Sequence, residues 1–203
     1  MQLEIKRVNN YTDTRFSKKV LAQHGCFLIN EEPYEVEIIS DSEAIVRGKN
    51  RGYFEELIEQ FRFFTPHITM FYDSVGSVIK QYADAELIEI ALEDIQPSQF
   101  YVDADKVAAI RSFIHRPEDI IIQVSRETDG YISLDGHTRL YYAWTQGFDK
   151  VRAVLAETDE CIYDFVQEAI RRGIRSPKDL ILLEHEEYEI QWNRYCEEYF
   201  EGK

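Results

Sequence analysis

The chain has 203 residues, 44% apolar and 13% aromatic, and carries 38 Asp+Glu against 23 Lys+Arg for a formal charge of −15. That apolar content is enough for a real core and excludes a disordered acidic tail. No apolar run approaches the ~18 residues that read as a bilayer span.

The opening residues 1–6 are too charged for a secretory leader. Cys26, Cys161 and Cys196 are odd in number and far apart, with no Cys-x-x-Cys. This predicts neither a disulfide framework nor a zinc knuckle, and a cytoplasmic location. Acid exceeds base throughout: 14 against 10 in residues 1–87, 12 against 7 in 88–157 and 12 against 6 in 158–203. Duplex binding draws largely on cations that release counterions from phosphates, so a DNA partner is disfavoured. No membrane partner is expected.

The elements are read in chain order. Residues 34–39 and 43–46 are short strands across the turn formers Ser40, Asp41 and Ser42. Phe54, Leu57, Ile58 and Phe61 recur at helical spacing. Two more strands are predicted at 67–72 and 77–82. The weak boundary at Ala83-Asp84-Ala85 lacks a Pro/Gly linker, so the two halves could share one sheet. Beyond it, 87–92 is a strand and 94–100 a loop. Asp103 or Asp105 caps a helix with Val107, Ile110, Phe113 and Ile114 on its apolar face. Residues 120–124 and 131–134 form a hairpin around Asp129-Gly130. A helix runs from His137 to Gly147, with Leu140, Ala143 and Trp144 on one face. A strand follows at 151–155, then a helix capped by Asp159 and ended by Gly173. A final helix bears the stripe Tyr188, Trp192, Tyr195 and Tyr199, read as core.

The stretch that carries chemistry is Leu134-Asp135-Gly136-His137-Thr138-Arg139, where a strand ends and a helix begins. The first amides of a helix lack internal partners and sit at the positive end of its dipole, so a phosphate is stabilised there. Gly136 lets the backbone take an unusual φ and lets a ligand approach. Arg139 offers a planar fork of donors and Thr138 a hydroxyl. Asp135 could hold Mg²⁺ bridging phosphates, and His137 could contact phosphate or shuttle a proton. The same residues also fit a plain cap and tight turn, with Arg139 paired to a nearby carboxylate.

The order loop, Lys106 helix, Ile-rich strand, hairpin, Asp-Gly-His-Thr-Arg, helix, glycine and strand resembles the ParB/sulfiredoxin-like superfamily over about residues 87–172. That resemblance implies a nucleotide whose phosphates lie at the strand-to-helix turn. Lys106 is similar to a sulfiredoxin lysine that contacts ATP phosphates. The sulfiredoxin Gly-Cys-His-Arg becomes Gly136-His137-Thr138-Arg139, so its sulfur nucleophile is missing and no sulfinic acid reduction follows. The turn looks closer to the free-serine-kinase branch, which uses Asp-Gly-His-His-Arg and implies Asp135 as the metal or catalytic carboxylate. That branch also places a glutamate base in the preceding loop, where this chain has neutral Gln99; Asp103 is the nearest substitute. The ParB partition branch, with its basic helix-turn-helix, fits worst.

Other groupings read as structural. His24-Gly25-Cys26 lacks a second ligand pair, 184–187 is an acidic solvated face, and His115-Arg116 is a cationic helix end.

The expectation is an α+β protein: an N-terminal α+β extension (1–86), a ParB/sulfiredoxin-like nucleotide-binding domain (87–172) and C-terminal helices (173–203). Asp135 and His137 are the candidate catalytic residues. Lys106, Gly136, His137, Thr138 and Arg139 are the candidate phosphate ligands, with ATP or another nucleotide and Mg²⁺ at Asp135 as cofactors. The expected activity is phosphotransferase or nucleotidase action on a small molecule. The alternative is a non-catalytic regulatory or protein-interaction module.

Overall fold

A computed structural model describes residues 3–202. The chain is mixed α+β and divides into two compact units, Met1–Glu86 and Leu87–Lys203. The C-terminal helices belong to the second unit.

The first unit holds β1 (Ile5–Arg7), α1 (Lys18–Ala22), β2 (Cys26–Ile29), β3 (Glu32–Ile38), β4 (Glu43–Gly48), α2 (Phe54–Phe64), β5 (Met70–Asp73) and β6 (Val78–Gln81). Its six strands lie in chain order in one sheet. The β4–β5 pair is parallel, with α2 as the crossover. The helical spacing of Phe54, Leu57, Ile58 and Phe61 gives α2 one apolar face. All four side chains are buried, in a core with Phe27, Val36, Val46 and Phe71.

The second unit begins with β7 (Leu87–Ala91), β8 (Ile95–Pro97), β9 (Tyr101–Asp103) and α3 (Ala104–Ile110). It continues through β10 (Ile121–Glu127), β11 (Gly130–Ser133), α4 (His137–Thr145), β12 (Lys150–Leu155) and α5 (Glu160–Arg171). It closes with β13 (Ile181–Leu183), α6 (His185–Tyr188), a π-helical turn over Glu189–Asn193, and α7 (Arg194–Glu201). Five strands form a sheet in the order β7-β12-β10-β11-β8, and β13 pairs with β9 apart from it. The hairpin β10–β11 is antiparallel, with Val124 opposite Ser133, while β10–β12 is parallel. The α3–β10 and α4–β12 connections thus put helices against a largely buried sheet, which explains why Ile121, Ile122 and Val124 read as an apolar run.

Several expectations change. Among the described residues, the strands of the two units lie in separate sheets. The loop at 94–100 contains β8, too short to show alternation, held in parallel register on β11. The helix after Asp103 stops at Ile110, so Phe113 and Ile114 reach the core from the following turn. Trp144 is 45% exposed, unlike buried Leu140 and Ala143. Asp159 occupies the position before α5 but makes no side-chain cap bond.

Candidate functional site

The turn between β11 and α4 is built by hydrogen bonds rather than by loop freedom. The Leu134 amide donates to the Gln123 carbonyl at 2.9 Å, extending the hairpin by one residue. Gly136 then turns at φ 87°, a left-handed conformation that suits glycine. It starts α4 with no side-chain cap. A Cβ at Gly136 would lie 2.6 Å from Ile122 Cγ2 and 3.3 Å from Arg139 Nε. The glycine is therefore required by the protein's own packing. On the side where a Cβ would lie, Ile122 and Arg139 leave no room for a ligand.

His137 is buried, and its ring is enclosed by serines. The Ser98 amide donates to Nε2 at 3.3 Å, and the Ser133 and Ser98 hydroxyls lie at 2.9 and 3.2 Å. The Ser98 hydroxyl donates to the Ser133 carbonyl at 2.7 Å. A backbone amide can only donate, so Nε2 accepts and the ring is neutral. Burial pushes its pKa down to about 4; Asp135 opposes this and Arg139 adds to it. His137 is an internal clamp between the 96–100 segment and the β11–α4 turn. Enclosed and uncharged at neutral pH, it has the wrong surroundings for the proton shuttle or phosphate contact expected of it.

Arg139 lies one turn in. Its Nη1 donates to the Ile121 carbonyl, and its Nη2 donates to Asp135 Oδ2 at 3.2 Å. The Asp135 carboxylate is about half-exposed, and the guanidinium is mostly covered. Asp135 belongs to no grouping of three or more metal-ligating side chains among the described residues. It therefore does not fit a resident Mg²⁺ site, and an ion there would have to arrive with phosphate oxygens. Thr138 is half-buried beside this pair in sequence.

Lys106 faces elsewhere. Its Nζ sits 4.8 Å from the centroid of the Tyr188 ring, on α6. Gln99, in the place of the expected base, donates to the Tyr101 carbonyl and to the Tyr188 hydroxyl. Asp103 is 1% exposed. It caps α3 by accepting from the Asp105 amide at 2.8 Å and meets His185 Nδ1 at 2.9 Å. The structure thus gathers Asp135, Gly136, Thr138 and Arg139 in one turn, encloses His137 behind it, and attaches Lys106 to the C-terminal segment.

Sequence reading missed the role of His185, taken as part of a solvated acidic face. It also missed Ser98 and Ser133, whose only signal was a small hydroxyl at each of two strand ends. A cavity of about 830 Å³ opens at the other end of α4, lined among others by Trp144, Phe148, Arg175 and Lys178. None of the turn residues line it.

No helix among the described residues is long and apolar enough to cross a membrane. No protein-family model matches the chain, and no curated protein matches it. Among solved structures it is similar to protein Atu1540 from Agrobacterium tumefaciens, at 16% identity and a TM-score of 0.33. That match covers 49% of this chain and 63% of the other, under two thirds of its length. A likeness of this depth carries neither a fold assignment nor a function.

Proposed function

We propose that the Leu87–Lys203 unit is a ParB/sulfiredoxin-like module that binds the phosphates of a nucleotide such as ATP at the start of α4, without transferring them. The observation that carries this reading is the uncapped start of α4 behind left-handed Gly136. Gly136 itself offers no side chain to cap the first amides, and Thr138 and Arg139 stand within the same turn. Amides at such an end favour an anion. The Arg139–Asp135 pair is partly solvated, and such pairs contribute only about 0–1 kcal/mol, so a phosphate can compete for the guanidinium. Mg²⁺ brought with the nucleotide would neutralise phosphate charge beside Asp135.

The non-catalytic reading is favoured over a phosphotransferase by the fate of the groups that would move a proton. His137 is enclosed and neutral, Gln99 is an amide, and Asp103 is committed to a cap and to His185. A hydroxyl nucleophile needs a base within reach, and none of these three supplies one.

Thermal unfolding with ATP, ADP and CTP, with and without Mg²⁺, tests the reading. Ligand at 100 times its Kd should stabilise the chain by about 2.7 kcal/mol. The Arg139→Ala variant, compared with its own ligand-free midpoint, should lose most of the shift. A full shift in that variant removes this turn as the site. No shift with any nucleotide removes nucleotide binding and leaves the protein-interaction module. Phosphate release or transfer to a hydroxylated metabolite would overturn the non-catalytic part alone.

A further inference from the structure

The C-terminal segment closes over the elements that hold Gln99, Asp103 and Lys106. Strand β13 pairs in parallel with β9, with Leu183 opposite Asp103. Tyr188 on α6 is buried, accepts from Gln99 and carries the Lys106 ammonium on its ring. Trp192 and Tyr195 pack edge-on against Phe100 at 4.8 and 5.2 Å between ring centroids. Beside these anchors lies an ion pair. His185 Nδ1, from a half-exposed side chain, meets a carboxylate oxygen of Asp103 that is shut off from water. We propose that residues 180–202 form a strap over Gln99 and Lys106, held by a proton-dependent His185–Asp103 latch that loosens as pH rises.

The physical argument starts from Asp103. A buried carboxylate is costly unless it is hydrogen-bonded and has a counter-charge. Its Oδ1 is used by the Asp105 amide, which carries no full charge. Protonated His185 supplies a full positive charge at Oδ2. Neutral His185 can still donate from Nδ1, but then the buried charge is uncompensated there and the bond is weaker.

The groups facing the imidazole agree on the direction. Asp103 from β9, Asp105 from the first turn of α3 and Glu189 just beyond α6 all raise the His185 pKa, with the Asp103 hydrogen bond first and burial opposing. The nearby cation on α3, Lys106, is drawn onto Tyr188. The latch is therefore fully formed below the ordinary histidine pKa of about 6.5 and is lost as pH rises through the raised folded value. Opening it would release Gln99 and Lys106 from Tyr188, at a strap whose aromatic anchors still limit how far it moves.

Hydrogen exchange of the full chain tests this, read peptide by peptide at pH 5.5 and 8.5 and corrected for the intrinsic pH dependence of exchange. In the wild type, opening of residues 185–202 should be about three-fold or more greater at pH 8.5, because charge-assisted hydrogen bonds are roughly twice as strong as neutral ones. Peptides from β10 and α4 serve as references and should not change. His185→Gln keeps a donor without the charge, so its strap should open equally at both pH values, at the wild-type pH 8.5 level. A wild-type strap with the same opening at both pH values overturns the proposal. So does a His185→Gln strap that keeps the wild-type pH dependence. Neither result depends on nucleotide binding at α4.

Discussion

At the residue scale, Gly136 and His137 show how one dipeptide serves the interior at the helix start proposed to hold phosphate. Gly136→Ala forces an L side chain into φ 87° and drives its Cβ into Ile122. The left-handed penalty of roughly 1–2 kcal/mol and an overpacking cost of about 1–3 kcal/mol predict a loss of about 2–5 kcal/mol in urea unfolding. A loss under about 0.5 kcal/mol would mean the turn relaxes freely.

His137 makes a pH prediction of definite sign. Its folded pKa, about 4, lies below the unfolded value. The folded state therefore prefers the neutral ring, and stability falls as pH drops from about 6.5 towards 4. Each tenfold difference in proton affinity between the folded and unfolded chain is worth about 1.4 kcal/mol, so the full effect is of order 3 kcal/mol. The difference between wild type and His137→Gln, followed by urea midpoint across that range, isolates this contribution from the carboxylates. A constant difference would place the ring's proton uptake outside the fold.

At the element scale, two turns of the same construction start β10 and β13. In each, a proline opens a single 3₁₀ turn and an aspartate two residues later binds back to the amides before it. Asp119 accepts from the His115 and Arg116 amides, and Asp179 from the Arg175 and Ser176 amides. Asp179 also takes the Ser176 hydroxyl. Proline suits the first position because its missing N–H leaves no orphan donor there. Removing a cap of this kind costs about 0.5–2 kcal/mol, so Asp179→Ala should lower stability by that amount. It should also raise exchange in β13 before the rest of the unit. Unchanged β13 protection would show that the strand is held by its pairing with β9 alone.

The elements that sequence patterning found are those with long, one-faced periodicity. Helix α2 is one, and the β10–β11 hairpin with its Asp129-Gly130 turn is another. Strands β8, β9 and β13 have three residues each. Three residues cannot show an alternation; their pairing is supplied by partners distant in the chain. The helix from Tyr188 to Tyr199 was legible as an aromatic stripe, but the π-helical turn at Glu189–Asn193 was not.

At the scale of the whole molecule, each unit has its own closed core, one around Phe61 and Phe71 and one around Phe100, Ile122 and Leu140. Expressed separately, residues 1–86 and 87–203 should each unfold cooperatively by circular dichroism. Failure of either fragment to show a sigmoidal melt would mean that its core needs the other unit.

The order of residues by itself determined where strand gives way to helix at Asp135–Arg139, because glycine, turn chemistry and apolar periodicity are local properties. It also determined the acidic character of all three segments, 1–87, 88–157 and 158–203. Only tertiary structure decided what those side chains do. Arg139 is fixed by a carbonyl from β10, His137 by serines from two other segments, and Asp103 by a histidine 82 positions away. A charged or polar group takes whichever partner the fold brings to it, and the cost of burying it unpaired makes that choice after the chain has closed.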